Sequence, residues 1–351
     1  MIFQFMWSSD REDLFEQAVP VLWHGEHLLK NGWGNPITLC FLNGLESLSS
    51  GYREYLVRLG YRVLDCAPLT TEFLKRYPRI RKLSINSRFW FLRWNVLQRL
   101  AAERVARTVL HLDGDVVLLV DPNQILRDVE GSTFMLQGCP ALTVISDPDW
   151  FSIWEEELAL LLEDRVSYLK KAHAEKVHPR RPGREYCNVC TYSGNHFEDQ
   201  EMLQYLIAAG RLPQALSAEI FDSPFYWMQN PLLPGDWHEE QAAGAHRLVV
   251  ENDGYSLVGD KRVALYHFQT DFSKYCSTWL QFSRFGLDGL ASSLRAAGPG
   301  RRDSRLVAWT GTLLDRAQRR VNRRAVYENV FKINPATGHR FVTDIVNSCW
   351  E

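Results

Sequence analysis

Residues 109–119 read VLHLDGDVVLL, and this stretch decides the fold. The run is rich in valine and leucine and is broken by Asp113 and Asp115, with Gly114 between them. It predicts a buried strand of a parallel sheet. Because buried carboxylates need a partner, we expect a divalent cation with hard oxygen ligands at the end of this strand. Gly114 allows the backbone and a ligand to approach closely. The stretch therefore predicts a site where a metal holds a phosphorylated substrate.

Strand and helix patterns alternate on the N-terminal side of this stretch. Predicted strands cover residues 2–7, 37–42, 61–66 and 108–119, and predicted helices cover 11–30, 51–59 and 84–104. Alternation at this pace predicts the α/β class with a mainly parallel sheet.

The C-terminal side is less regular. The patterns predict strands over 134–138, 186–192, 249–250 and 263–268, helices over 150–175 and 199–209, and a loop over 176–185. Residues 298–300 (GPG) are the clearest linker signal.

Composition limits the classes of function. The chain has 351 residues, is 46% hydrophobic and 23% charged, and carries a formal net charge of -2. This charge argues against a nucleic-acid binder. Seven cysteines, an odd number, favour reduced thiols and hence a cytoplasmic protein. Cys187 and Cys190 form a lone C-x2-C, for which buried thiols and a zinc or redox role both stay open. No signal peptide or membrane-spanning segment is expected.

Five segments together resemble the nucleotide-sugar glycosyltransferases of the GT-A fold, most of all glycosyltransferase family 8. The DGD at 113–115 is similar to the DxD motif of these enzymes, and the order of the five segments along the chain strengthens the resemblance. The other segments are FLRW at 91–94, YCNVC at 186–190, DQE at 199–201, and YHF at 266–268 followed by Lys274. The chain departs from the family at Cys190, which stands in place of a glycine, and in the short spacing between 188 and 199.

The resemblance implies a set of site residues. Asp113, Asp115 and His267 would hold Mn²⁺ or Mg²⁺, which bridges the diphosphate of a nucleotide-sugar donor. A mixed carboxylate and imidazole site suits manganese better than calcium. The remaining donor-binding residues would be Lys274, Arg93 and Arg88 at the diphosphate, Asn188 at the donor or acceptor, and Trp7 and Ser8 at the nucleotide.

Asp199 is open to two interpretations. As part of Glu198-Asp199 before a helix it resembles the catalytic base of inverting enzymes, which takes a proton from the acceptor hydroxyl. As part of Asp199-Gln200-Glu201 it resembles the retaining family, in which this aspartate lies near the sugar. A plain helix cap is the third interpretation.

The resemblance also implies a domain organisation and a reaction. A GT-A catalytic domain would cover 1–280, with a nucleotide-sugar-binding half at 1–130 and an acceptor-side half at 131–280, and a helical extension would cover 281–351. The reaction would move a sugar, from a UDP-sugar by analogy, to a hydroxyl of a glycan, lipid-linked saccharide or protein.

Eight arginines between 301 and 324 follow a helical pattern of apolar residues. A basic amphipathic helix of this kind can lie on an anionic membrane, so we expect peripheral membrane contact through 301–324. Packing on the core and an oligomer contact are the alternatives.

Two rival functions remain. Residues 113–117 (DGDVV) also fit the start of haloacid-dehalogenase-like phosphatases, in which Asp113 would be the nucleophile. A non-catalytic nucleotide- or glycan-binding module on the same fold is the other rival.

Overall fold

The computed structural model describes residues 1–8, 11–48, 50–136, 139–175, 180–181, 184–185, 198–212, 225–229, 248–250, 256–258 and 261–267. The helices are α1 (Arg11–Lys30), α2 (Ser50–Arg58), α3 (Ala67–Arg76), α4 (Ile85–Glu103), α5 (Pro122–Asp128), α6 (Asp149–Glu163), α7 (Arg165–Glu175) and α8 (Asp199–Ala208), with 3-10 turns at Leu45–Ser47 and Pro78–Lys82. The strands are β1 (Ile2–Met6), β2 (Ile37–Phe41), β3 (Arg62–Asp65), β4 (Val109–Asp113), β5 (Val116–Leu118), β6 (Phe134–Met135), β7 (Leu142–Ile145), β8 (Arg180–Arg181), β9 (Arg184–Glu185), β10 (Phe225–Gln229), β11 (Leu248–Val250), β12 (Ser256–Val258) and β13 (Lys261–His267).

A six-stranded, mainly parallel sheet forms the centre of the fold. Its order is β3-β2-β1-β4-β7-β6, and the first four strands are parallel. Strand β7 runs antiparallel to both β4 and β6. The predicted mixed α/β class, with helices against a mainly parallel sheet, is confirmed.

The strand order creates a crevice between β1 and β4. The chain moves outward from β1 to β2 and β3, and then returns to place β4 on the other side of β1. In open α/β sheets, ligands bind at such a reversal, beyond the carboxyl ends of the strands. Trp7 follows β1 and Asp113 ends β4, so both lie at this edge.

Buried side chains cover both faces of the sheet. One cluster includes Trp23 of α1 and Tyr52 of α2. The other includes Trp94 of α4, Trp150 of α6 and Tyr205 of α8. Because strands β1, β2 and β4 are buried on both faces, their sequences are almost continuously apolar.

The run predicted as one strand over 108–119 is divided at Gly114. After Asp113 the chain turns out of the central sheet, and β5 pairs antiparallel with β13 in a second sheet of order β10-β13-β12-β11. The buried Gln4 of β1 holds this turn, since its Nε2 donates to the carbonyl oxygens of Asp113 at 3.0 Å and Val116 at 2.8 Å. The two aspartates therefore lie on a turn between two sheets.

The helix predicted over 150–175 is likewise divided, at Asp164. The Asp164 carboxylate accepts hydrogen bonds from the backbone N of Ser167 at 3.0 Å and from its Oγ at 2.7 Å. These bonds cap a new helix, α7. Predicted elements and motifs at 176–179, 186–197 and 268–351 lie outside the described residues. Among the described helices, none combines the length and the apolar character needed to cross a bilayer.

Candidate metal and donor site

Three side chains that the sequence selects meet at the carboxyl edge of the central sheet. Strand β4 delivers Asp113, the following turn delivers Asp115, and the end of β13 delivers His267. In the register between β13 and β5, His267 is opposite Val116, directly after Asp115. One ligand atom from each of the three lies within 4.8 Å of the others, and Nε2 of His267 is 3.5 Å from Oδ1 of Asp115.

These residues fit a divalent metal ion. Donor atoms about 2.1 Å from one octahedral ion lie about 3 to 4 Å apart, so small side-chain rotations would suffice for the observed spacing. Two carboxylate groups and an imidazole are ligands accepted by manganese and other first-row metals. The side chains of Asp113 and Asp115 are 16% and 22% exposed, so a ligand can still reach them.

Arg93 of α4 lies beside this group and joins it to Asp199. Its guanidinium is 2% exposed and donates from Nη1 to Oδ1 of Asp113. It also donates to Oδ2 of Asp199, from Nη2 at 2.5 Å and from Nε at 3.0 Å. Although burial by itself lowers the pKa of Arg93, the two carboxylates raise it, so Arg93 is a fixed cation at this edge.

Asp199 is the first residue of α8 and is 3% exposed. Besides Arg93, Nε1 of Trp94 donates to its Oδ2 at 2.8 Å. Burial raises the pKa of Asp199, while Arg93 and Trp94 oppose this effect. The helix cap is Glu198 rather than Asp199, because Glu198 and Glu201 form a reciprocal capping box. The cap interpretation of Asp199 is therefore wrong, and one of its carboxylate oxygens is committed to holding Arg93.

His111 is a buried neighbour that the sequence reasoning missed. It precedes Asp113 by two residues on the same strand face and packs against Trp94, with ring centroids 4.5 Å apart, and against Phe5 at 5.3 Å. Because the carbonyl of Pro140 can only accept, Nδ1 of His111 donates to it at 3.0 Å. Burial and the charge of Arg93 lower the pKa of His111, which keeps the ring neutral. Its Nε2 has no hydrogen-bond partner among the described residues and lies 3.6 Å from Oδ1 of Asp113.

Cys139 is a second neighbour without a sequence signal. Its Sγ lies 3.9 Å from Nδ1 of His267, and both side chains are buried. The thiol and Asp115 therefore contact opposite nitrogens of one imidazole. Burial alone lowers the pKa of His267, but Asp115, followed by Cys139 and Asp113, raises it to about 9.

Burial raises the pKa of Asp113. The guanidinium of Arg93 opposes this effect, and the nearby Asp115 carboxylate adds to it. Two carboxylates and two basic side chains thus share a small, partly water-excluded volume, where electrostatic interactions are stronger than in water.

Of the other residues predicted for the site, Trp7 and Ser8 lie at the same edge. Trp7 is 8% exposed, and Cζ of Arg93 lies 5.8 Å from its ring centroid. The backbone of Ser8 exchanges two hydrogen bonds with the Asn43 side chain, at 2.8 and 2.9 Å, which fixes the ends of β1 and β2 together. Arg88 instead donates to the carbonyls of Leu83 and Arg81, before the first turn of α4. Asn188 and Lys274 lie outside the described residues.

No protein-family model and no curated protein matches the chain. Similar solved structures are glycosyltransferases. Mouse xyloside xylosyltransferase 1 in its apo form has 13% identity and a TM-score of 0.43, and the match covers 77% of this chain and 98% of that one. The glycosyltransferase GlyE of Streptococcus pneumoniae has 12% identity and a TM-score of 0.40, with 84% and 62% covered. The galactosyltransferase LgtC, in complex with donor and acceptor sugar analogs, has 16% identity and a TM-score of 0.38, with 83% and 96% covered. Matches of this size carry no argument about activity, and the function rests on this chain's own residues.

Proposed function

We propose that this protein is a GT-A-type glycosyltransferase that depends on a divalent metal, most like those of family 8. It moves a hexose-type sugar from a nucleotide diphosphate, with a UDP-sugar preferred by resemblance, to a hydroxyl of a glycan, a lipid-linked saccharide or a protein. One observation carries the proposal: Asp113, Asp115 and His267 converge beside the buried cation Arg93 at the switch point of the sheet.

The proposed ligands of Mn²⁺ or Mg²⁺ are Asp113, Asp115 and His267. A bound divalent ion supplies positive charge opposite the diphosphate leaving group, whose charge grows as the bond to the sugar breaks. Asp113 and Asp115 place four carboxylate oxygens at the mouth of the crevice, and His267 adds a neutral nitrogen ligand once its Nε2 is free of a proton.

Arg93 is the proposed fixed donor of hydrogen bonds to the nucleotide sugar. A guanidinium locked by two carboxylates needs little reorganisation when the ligand arrives, and reorganisation is a large part of the cost of charge stabilisation. Trp7 provides an apolar wall beside it, and Lys274 and Asn188 stay proposed further contacts to the donor.

Asp199 is the proposed carboxylate closest to the transferred sugar. Its Oδ2 holds Arg93, so the remaining oxygen, Oδ1, is the atom available to accept a hydrogen bond or a proton from a hydroxyl. A base role and a sugar-binding role make different predictions for Asp199→Asn. Loss of the acidic limb of the kcat/KM pH profile supports the base, and an unchanged profile with a raised donor KM supports sugar binding.

The test is a screen of nucleotide sugars for thermal stabilisation of the protein with Mn²⁺, followed by an assay of donor hydrolysis or transfer. We expect donor-dependent stabilisation and turnover in the unmodified protein. Asp113→Asn and Asp115→Asn should lose metal binding and turnover, whereas Asp128→Asn, at the end of α5, should keep both. Full activity of both site variants would overturn the assignment.

The two rival functions give different results in the same assays. Tight donor binding without turnover on any donor would favour the binding module. Covalent labelling of Asp113 by beryllium fluoride would favour the phosphatase. The phosphatase is not favoured, because that class carries its motif close to the N-terminus, whereas β4 is the fourth strand along this chain.

A further inference from the structure

A strongly basic surface lies where α3, the following 3-10 turn and the start of α4 meet. Residues 73–102 contain no aspartate or glutamate. We call the six cations between positions 75 and 88 the basic platform. Its members are Lys75, Arg76, Arg79, Arg81, Lys82 and Arg88.

Two members attach the platform to α6. Arg76 forms an ion pair with Glu155, with Nη2 and Oε1 2.5 Å apart. Nη1 of Arg79 donates to the carbonyl oxygens of Leu162, at 3.2 Å, and Glu163, which belong to the last turn of that helix, where carbonyls have no partner within the helix. These contacts fix the position of the 3-10 turn on the body of the protein.

Arg88 fixes the turn from the other side. It donates to the carbonyl of Leu83 at 3.0 Å and to that of Arg81 at 2.6 Å. The remaining members, Lys75, Arg81 and Lys82, are exposed, and the structure records no ion pair between them and any described residue. Half of the platform thus positions the surface, and the other half presents positive charge to solvent without a recorded ion pair to a described residue.

An apolar side chain accompanies these charges. Ile85, the first residue of α4, is 41% exposed. Cations beside an exposed aliphatic side chain suit the headgroup and acyl boundary of a bilayer, where both kinds of group find partners. A nucleic-acid backbone would use only the charges, and the whole chain, at a net charge of -2, lacks the basic excess of nucleic-acid binders.

We propose that the basic platform binds the surface of an anionic phospholipid bilayer. Hydrogen bonds and an ion pair hold this surface in place, and its charge is complementary to that of such a membrane. Arg93 lies eight residues beyond Ile85, about 12 Å along α4. Binding through the platform would therefore hold the crevice close to the bilayer. This binding does not require the proposed transfer reaction and is tested without donor or metal.

The experiment measures how the full chain partitions onto vesicles of phosphatidylglycerol mixed with phosphatidylcholine, and onto vesicles of phosphatidylcholine alone, at about 0.1 M salt. Two charge-matched triple variants are compared. The platform variant is Lys75→Glu/Arg81→Glu/Lys82→Glu, and the control is Lys30→Glu/Arg53→Glu/Arg58→Glu, on α1 and α2 at the opposite face of the sheet.

We expect the unmodified protein and the control to bind the anionic vesicles. The platform variant should bind at least about 100-fold more weakly, since each cation near such a surface contributes about fivefold to the affinity. Circular dichroism and melting curves check that both variants stay folded. Three results would overturn the proposal: equal binding by the platform variant, equal binding of the protein to both kinds of vesicle, or tighter binding to a DNA oligonucleotide than to anionic vesicles. The first result would place membrane contact elsewhere, for example at 301–324.

Discussion

Replacing Arg93 by methionine tests whether its guanidinium stabilises the fold by compensating the buried carboxylates of Asp113 and Asp199. The side chain is 2% exposed and contacts Asp113 and Asp199, and Asp199 is itself 3% exposed. In the variant, Trp94 would be the only described residue whose side chain still donates to the Asp199 carboxylate. Removing one partner from a buried ion pair typically costs about 3 to 5 kcal/mol, because the remaining charge is buried without compensation. We expect the free energy of unfolding to fall by about 4 kcal/mol, a large share of the roughly 5 to 15 kcal/mol that holds a domain folded.

The assay is urea denaturation followed by tryptophan fluorescence, without added metal or donor. Arg99→Met is the matched control on the same helix. The Arg99 side chain is 52% exposed, and Nε lies 3.2 Å from Oε1 of Glu103 one turn later, so its loss should cost no more than about 0.5 kcal/mol.

A double variant, Arg93→Met/Asp199→Leu, completes the test. Because it also removes the uncompensated carboxylate, it should be at least about 2 kcal/mol more stable than Arg93→Met alone. The reasoning is refuted if Arg93→Met unfolds within about 1 kcal/mol of the unmodified protein, or if the second substitution destabilises the first variant further.

Three other predictions concern single positions. If His267 is the proposed metal ligand, Cys139→Ala should weaken Mn²⁺ binding about tenfold, because the outer partner of a ligating histidine orients its ring. Electron paramagnetic resonance of the free ion measures the affinity, and an unchanged value would mean that the thiol only fills space. Burial, with the nearby carboxylates Glu201 and Asp199, raises the pKa of Glu198 to about 7, so its ionisation makes the fold less stable as pH rises from about 4.5 to 7. Between pH 5 and pH 8, the free energy of unfolding of Glu198→Gln should therefore rise by about 1 kcal/mol relative to that of the unmodified protein, after allowance for solvent screening. Parallel curves of stability against pH would contradict this. A Cβ on Gly25 would lie 2.7 Å from a ring carbon of Tyr61, so Gly25→Ala should lower the free energy of unfolding by about 1 to 3 kcal/mol. Unchanged denaturation curves would show that α1 can move away from Tyr61 at no cost.

The first three strands were predictable because each apolar run is bounded by turn residues. The division after Asp113 was not, since Val116–Leu118 continues the same apolar pattern. Only its pairing with β13, about 150 residues later in sequence, shows that this segment belongs to another sheet. The break in the predicted helix at Asp164 left a local signal, an aspartate followed three residues later by Ser167, that apolar periodicity outweighed.

The candidate site shows the same division between local and long-range information. Asp113 and Asp115 stand out in the sequence because a carboxylate in a buried apolar strand is costly unless it has a partner. Gln4, His111 and Cys139 carry no such signal, because each acts through contacts that only the folded chain creates. Arg93 was selected for the donor, but that Asp113 and Asp199 share its guanidinium could be learned only from the packing of α4 and α8 against β4.

The antiparallel pairing of β5 with β13 joins segments that are far apart in the sequence, so we expect it to form late in folding. The contact between Asp115 and His267 closes a loop of about 150 residues. The chain loses the entropy of this loop before the contacts between the two strands can stabilise the pairing. The parallel core of β1 to β4 involves shorter separations and can form earlier. A chain that ends before β13 would therefore keep every strand of the six-stranded sheet and yet lack His267 beside Asp115, so the proposed ion binding would report that folding had included residue 267 rather than that the parallel core had formed.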